Sequence, residues 1–217
     1  TALSFPWLFA ELWPVALLAA LLMLQFAAMR FVRQIRTGIG AVLGNVRRRS
    51  VGEFCFPLGV ALLFGLADGD PVLYCTPLMC LTFADSAAAL AGRRWGVLRY
   101  AVGGDIKTIE GSCVFLIVSG LCCVTTLGLL GPLSLASALA VACLVAPMLT
   151  AVEAMARDGL DNLLIPLCSF LCLKTAPAPR MFDIDVLIAA IAIVTGPLLL
   201  WTLTRRADRL RLIGSAP

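Results

Sequence analysis

Long apolar runs separated by short polar stretches fill most of this chain, and their lengths predict helices that cross a membrane. A helix needs roughly 20 predominantly apolar residues to traverse about 30 Å of hydrocarbon. Runs at 7–29, 72–91, 113–130, 133–152 and 186–203 reach that length. Two others, at 54–67 and 163–173, are shorter and carry Pro57 and Pro166; they either cross or enter part way. The pattern predicts an all-α fold, a polytopic transmembrane helix bundle with five clear spans, and about seven if both short runs cross.

The basic residues decide between these counts. With both short runs crossing, 15 of the 17 Lys and Arg residues share one side, and only Lys174 and Arg180 fall opposite. Cytoplasmic loops carry an excess of Lys and Arg. The split therefore favours seven spans, with the N-terminus outside and the C-terminus cytoplasmic. The same parity puts the loops at 92–111 and 153–162 on one cytoplasmic face.

Composition agrees with the pattern. A chain of 217 residues that is 61% hydrophobic and 14% charged, with a mean hydropathy of +0.99, is no soluble globular domain. It reads as one integral-membrane domain over 1–217, in a cell membrane if bacterial or an organellar membrane if eukaryotic. The formal charge of +4 follows from the loop arginines, so no nucleic-acid partner is expected. Of nine cysteines, Cys113, Cys122, Cys123, Cys143, Cys168 and Cys172 lie in apolar runs, where cysteine packs as a small hydrophobe. With no histidine and no close Cys-x-x-Cys pair, zinc and redox chemistry are not expected. The first run has no small-residue cleavage site after it and is read as retained.

Candidate chemistry concentrates in residues 85–112. Asp85 stands in an apolar run among Ala84, Ser86, Ala87, Ala88, Ala89 and Gly92. Small residues alone would only let helices pack closely, but a carboxylate in a span needs a metal, a cation or a water-filled cavity. The following loop supplies Arg93, Arg94, Arg99, Gly103, Gly104 and Lys107, a set suited to phosphate oxygens. Positive-inside topology explains the arginines equally well. Lys107-Thr108-Ile109-Glu110-Gly111-Ser112 adds more, because Ser112 is placed to cap the next helix, and a helix N-terminus favours anions. Glu110 pairs with Lys107 on the surface, or holds a divalent cation against phosphates.

The second loop brings Glu153 at the end of one span and Asp161 and Asn162 at the start of the next. Their ordinary readings are a helical pair between Glu153 and Arg157 and an N-cap at Asp161. Ser50 and Glu53 match a capping box, which accounts for both. Arg47, Arg48 and Arg49 serve as a topology anchor, an anionic-lipid contact or part of a phosphate funnel.

These residues resemble a known family. Asp85-x-x-Ala88 with the following Gly92-Arg93-x-x-Gly96, then Lys107 to Ser112, then Val152-Glu153 ahead of Asp161-Asn162-x-x-x-Pro166, are similar to the polyprenol kinase group, which takes in dolichol, phytol and CTP-dependent diacylglycerol kinases. The signature is concentrated in 48–166. The resemblance implies a membrane enzyme that moves the terminal phosphoryl group of a nucleotide, usually CTP, onto a lipid alcohol with Mg²⁺. Asp85, Glu110, Glu153 and Asp161 then form the pool of metal ligands and base candidates. Lys107 would neutralise phosphates, with Arg93, Arg94, Gly103, Gly104, Thr108, Gly111, Ser112 and Asn162 completing the nucleotide site beside the bilayer. The rival enzymatic reading is a phosphatidate cytidylyltransferase-like CTP enzyme. A rival of another class is an ion-coupled transporter using Asp85, Glu153 and Asp161.

Overall fold

The computed structural model describes residues 2–31, 51–102 and 105–175. The predicted span at 186–203, Ser50, the arginines at 33–49, Arg180, those beyond 200, and Gly103 and Gly104 lie outside these residues. Among the described residues the chain is overwhelmingly helical. After a 3₁₀ turn, Ala2–Ser4, and a short helix α1, Phe5–Leu8, come α2, Leu12–Phe31, α3, Gly52–Ala67, and α4, Pro71–Trp95. Strands β1, Arg99–Val102, and β2, Asp105–Thr108, precede α5, Ile109–Leu129, α6, Leu135–Met155, and α7, Asp161–Thr175.

Four of these helices, over Leu12–Arg30, Pro71–Trp95, Ile109–Leu129 and Leu135–Met155, are long and apolar enough to cross a membrane. They coincide with four of the five long runs. The short runs are α3 and α7, with 16 and 15 residues. At a rise of 1.5 Å per residue they reach only roughly 24 and 22 Å.

Local chemistry sets the helix ends. Asp68 and Gly69 adopt left-handed backbone, φ 48° and 80°, and stop α3. Asp70 then caps α4, its carboxylate accepting from Val72 N at 2.8 Å and Leu73 N at 3.1 Å with Pro71 at the first position. Ser134 Oγ accepts from Ser137 N at the start of α6. The expected cap of α5 is corrected: it is Thr108, whose Oγ1 accepts from Gly111 N at 3.1 Å, because the helix already begins at Ile109 and places Ser112 inside its first turn.

Consecutive helices reverse direction, so the end of α4, the start of α5, the end of α6 and the start of α7 meet at one end of the bundle. Arg30 and Glu53 pair at 3.3 Å where α2 gives way to α3; Glu53 is thus engaged by Arg30, and α3 has no side-chain cap. At the opposite end Tyr74 Oη donates to Ala2 O at 2.9 Å. Between the ends, α5 packs on α4 and α6, and α7 on α3 and α6. Tyr74, Leu78, Phe115, Leu149, Ile165 and Phe170 are fully buried in this core.

Two features depart from a bundle of plain α-helices. Within α4, Cys80–Ala84 widens into a π-helical turn just before Asp85; Pro77, upstream, cannot donate to the helical ladder, and such turns recur at functional sites. The structure is mostly helical, as the all-α expectation has it, with one hairpin added. The stretch 92–111 is not a loop: α4 continues to Trp95, and β1 pairs antiparallel with β2, Tyr100 opposite Lys107 and Val102 opposite Asp105.

Candidate functional site

Strand alternation aims the site. Successive side chains of a strand point to opposite faces, so Tyr100, Val102, Asp105 and Lys107 share one face of the hairpin. Each is partly buried, whereas Arg99, Ala101 and Ile106 on the other face are exposed. The partly buried face turns toward the end of α6 and the segment leading into α7. Lys107 Nζ meets Glu153 Oε1 at 2.8 Å, donates to the Glu153 backbone carbonyl, and stands 3.9 Å from Asp161 Oδ2. Asp105 accepts from Asp158 N at 2.8 Å, holding the hairpin to the turn in which Asp158 and Gly159 have φ 57° and 85°.

Lys107 therefore does the work of a helix C-cap as well as that of an ion pair. The carbonyls at the end of a helix lack intrahelical partners and carry the negative end of its dipole. The ammonium answers both. Its side chain is 14% exposed and that of Glu153 is 8% exposed, so the pair is shielded from solvent.

The other oxygen of Glu153 is also occupied. Ser112 Oγ donates to Glu153 Oε2 at 3.3 Å, and Tyr100 Oη lies 2.8 Å from Ser112 Oγ. A carboxylate only accepts, so the single Ser112 proton goes to Glu153 and Tyr100 must donate to Ser112. Burial pushes the Tyr100 phenol above its usual range; the Ser112 hydrogen bond acts against that shift and the Glu153 charge adds to it. The phenol consequently keeps its proton at neutral pH.

Ser112, Glu153 and Lys107, though not Tyr100, border a cavity of about 950 Å³ lined by Asp85, Ala88, Ala89, Gly92, Arg93, Arg99, Asp105, Ile106, Lys107, Thr108, Gly111, Ser112, Glu153, Asp158, Gly159, Asp161 and Asn162. Asp85, Arg93, Lys107, Thr108, Gly111, Ser112, Glu153, Asp161 and Asn162 were all legible as candidates, and the fold brings them together. Glycine is required at two of the walls. A Cβ on Gly92 would stand 2.8 Å from Thr108 Oγ1, and one on Gly111 2.9 Å from the same atom.

Two candidates do not join them. Glu110 accepts from Leu98 N at 3.1 Å and fixes the start of the hairpin, because the strand-to-helix switch between Lys107 and Ile109 turns it away from the cavity. Arg94 stacks over the Trp95 ring at 5.7 Å. The ordinary pairings are corrected too: Lys107 pairs with Glu153 and not Glu110, and Glu153 pairs with Lys107 and not Arg157. Asn162 reaches Gly52 O at 3.4 Å and so also ties α7 to α3. Tyr100, Asp105 and Asp158 escaped the sequence reading. The glycine pair at 103–104 between two four-residue strands is a hairpin signal that would have found the first two.

The donor set suits Mg²⁺. That ion keeps several waters and binds through one or two carboxylates plus substrate phosphates. Among the described residues no group of three or more His, Cys, Asp or Glu is placed to hold a metal ion, so any ion would rest on one or two carboxylates and its other ligands. Asp85 and Asp161 line the same cavity, while both oxygens of Glu153 are engaged by Lys107 and Ser112.

Fold and cavity together define a class: a helical protein with several helices long and apolar enough to cross a membrane and, at one end of the bundle, a cavity that mixes carboxylates with Arg and Lys. The chain is 34% identical over 148 residues to the phytol kinase of Synechocystis sp., an alignment covering 67% of this chain and 63% of that protein. This similarity relates the chain to the polyprenol and phytol kinase family. The chain thus spans a little under two thirds of that relative's length. No family model and no solved structure matches it.

Proposed function

We propose that this protein is a lipid-alcohol kinase, transferring the terminal phosphoryl group of a nucleoside triphosphate, CTP, to a prenol of the phytol or polyprenol type. The observation that carries the reading is the convergence of Asp85, Lys107, Glu153 and Asp161, from the four elements α4, β2, α6 and α7, on one cavity at the end of the bundle, in a chain related to a phytol kinase. Phosphoryl transfer asks a protein mainly for positioning and for neutralising charge, which this set can supply.

In this proposal Asp85 and Asp161 would hold Mg²⁺, which supplies charge neutralisation to the donor phosphates. Arg93 and the remaining N–H of Lys107 bind phosphate oxygens. The lipid alcohol enters from the bilayer with its hydroxyl at the depth of Asp85. Its oxygen forms a bond to the terminal phosphorus as the bond from that phosphorus to the bridging oxygen breaks. The hydroxyl proton passes to a cavity carboxylate, for which Asp85 is the candidate, and the nucleoside diphosphate leaves. We also propose about seven spans with the N-terminus outside and the cavity cytoplasmic, on the strength of the basic-residue split.

The test is incubation of the purified protein with γ-labelled CTP or ATP, Mg²⁺ and a panel of phytol, polyprenols and diacylglycerol. Label in the lipid supports the proposal. Pyrophosphate release with a CDP-lipid product replaces it with cytidylyl transfer, and substrate uptake into vesicles without turnover replaces it with a carrier.

A further inference from the structure

A hydrogen-bonded chain runs into the cavity wall and ends on the lysine of the proposed phosphate site: Tyr100 Oη to Ser112 Oγ to Glu153 Oε2, continuing through Glu153 Oε1 to Lys107 Nζ. We infer that Tyr100 and Ser112 are positioning residues that hold Glu153 against Lys107, and that Glu153 acts through this role and not as a metal ligand. The inference deepens the reading of this cavity as a nucleotide site.

Three lines support it. The carboxylate of Glu153 has a donor on each oxygen, one cationic and one neutral, which fixes its orientation and occupies about two of its four lone-pair sites. Direction along the chain is fixed, since only Tyr100 can begin it and only Lys107 carries the balancing charge. The members come from four elements, β1, β2, α5 and α6, so the chain sets where the ammonium stands relative to the cavity. An ammonium has three N–H groups. Two are taken by the Glu153 carboxylate and backbone carbonyl, and the third lies on the side of Asp161, 3.9 Å away. Loosening the chain would free the Lys107 ammonium to wander among the cavity carboxylates and remove it from the position where a donor phosphate needs it.

The sequence offers an unusually clean probe, because the chain has just two lysines, Lys107 and Lys174. Lys174 is exposed and serves as an internal reference. The whole protein in lipid nanodiscs is treated briefly with an amine-acylating reagent, and modification of the two lysines is compared by mass spectrometry for the native chain, Ser112→Ala, Ser112→Thr, Tyr100→Phe and Glu153→Gln. We expect the Lys107-to-Lys174 ratio to rise about fivefold in Ser112→Ala, the scale of one buried hydrogen bond. It should rise less in Tyr100→Phe and return close to the native value in Ser112→Thr, which keeps the hydroxyl. Unchanged ratios in both Ser112→Ala and Tyr100→Phe overturn the inference, whatever the protein catalyses.

Two kinetic readouts then separate this role from neighbouring ones. Ser112→Ala should raise the donor KM about fivefold with kcat nearly unchanged. Glu153→Gln should leave the Mg²⁺ concentration for half-maximal rate, and Mn²⁺ binding measured by electron paramagnetic resonance, within twofold of native. A tenfold loss of Mn²⁺ affinity makes Glu153 a ligand and overturns the assignment. Absence of turnover with every donor and alcohol defeats the kinase reading but leaves the acylation result standing on its own.

Discussion

Replacing Gly92 with alanine tests how the cavity wall is built. The new Cβ would lie 2.8 Å from Thr108 Oγ1, closer than van der Waals contact permits. Thr108 has no free room to retreat, because the same oxygen caps α5 by accepting from Gly111 N at 3.1 Å. Relief therefore takes one of two forms: Thr108 rotates and the cap is lost, at about 1 kcal/mol, or α4 and α5 move apart, at the about 1–3 kcal/mol typical of overpacking. Alanine's better helix propensity returns about 1 kcal/mol. The sum is a destabilisation of about 0–2 kcal/mol, and for a chain of this size each kcal/mol lowers the thermal midpoint by roughly 2–4 °C.

A double-mutant cycle makes the reasoning strict. Thr108→Ala alone loses the cap, about 1 kcal/mol. Once the hydroxyl is gone, Gly92→Ala meets nothing closer than the Thr108 Cβ, 3.9 Å away, so in that background it should be neutral or mildly stabilising. The midpoints are measured through the fluorescence of the four tryptophans in detergent. Additivity of the two changes within about 0.5 kcal/mol would refute the claim that one threonine oxygen governs both the helix cap and the approach of α4 to α5.

Asp85→Asn keeps the volume and removes the charge. It should leave the midpoint within a few degrees of native while cutting lipid phosphorylation by at least about 100-fold, the low end for loss of a general base; a folded variant with full turnover sinks the proposed role. Gly59→Val would set a Cβ 2.9 Å from the backbone oxygen of Asn162, which has no rotamer to relieve it, so α7 must shift. A loss of about 1–3 kcal/mol with a raised donor KM is expected, and a native midpoint would show that α3 and α7 do not pack as described. Nucleotide binding, followed with a fluorescent CTP analogue, should weaken at least tenfold, about 1.4 kcal/mol, when EDTA replaces Mg²⁺. Equal affinity in EDTA would count against carboxylates as the metal's hosts.

The spans were readable because a membrane crossing writes itself as a long apolar run, and α2, α4, α5 and α6 each follow one. The cavity's membership was also largely readable, since a carboxylate at a span boundary is costly wherever it is placed. Pairings were not. Lys107 has Glu110 three residues away, yet its partner is Glu153, 46 residues on. The switch from strand to helix at Thr108 sends neighbours in sequence to different sides. The hairpin was missed because its strands have only four residues each, too few for alternation to stand out between two apolar spans. The π-helical turn before Asp85 leaves no trace beyond Pro77.

Assembly also reverses the electrostatic character of the site. The stretch 92–111 alone reads as basic, with Arg93, Arg94, Arg99 and Lys107 against Asp105 and Glu110, and suggests a funnel for anions. Folding removes Arg94 to the Trp95 ring and adds Asp85, Glu153, Asp158 and Asp161, so the lining holds five carboxylates against three cations, a formal charge of −2. A bare polyphosphate entering such a cavity meets net repulsion at short range, where screening by salt is weakest. On the proposed reading, a polyphosphate that brings a divalent cation would meet less repulsion, because the lining carboxylates would offset the metal's charge while Arg93 and Lys107 offset that of the oxygens. The hydrogen-bond chain from Tyr100 matters for the same reason: in an acidic cavity an untethered ammonium would settle on whichever carboxylate it reached first, and Asp85 and Asp161, the ligands proposed above, would be lost to the metal.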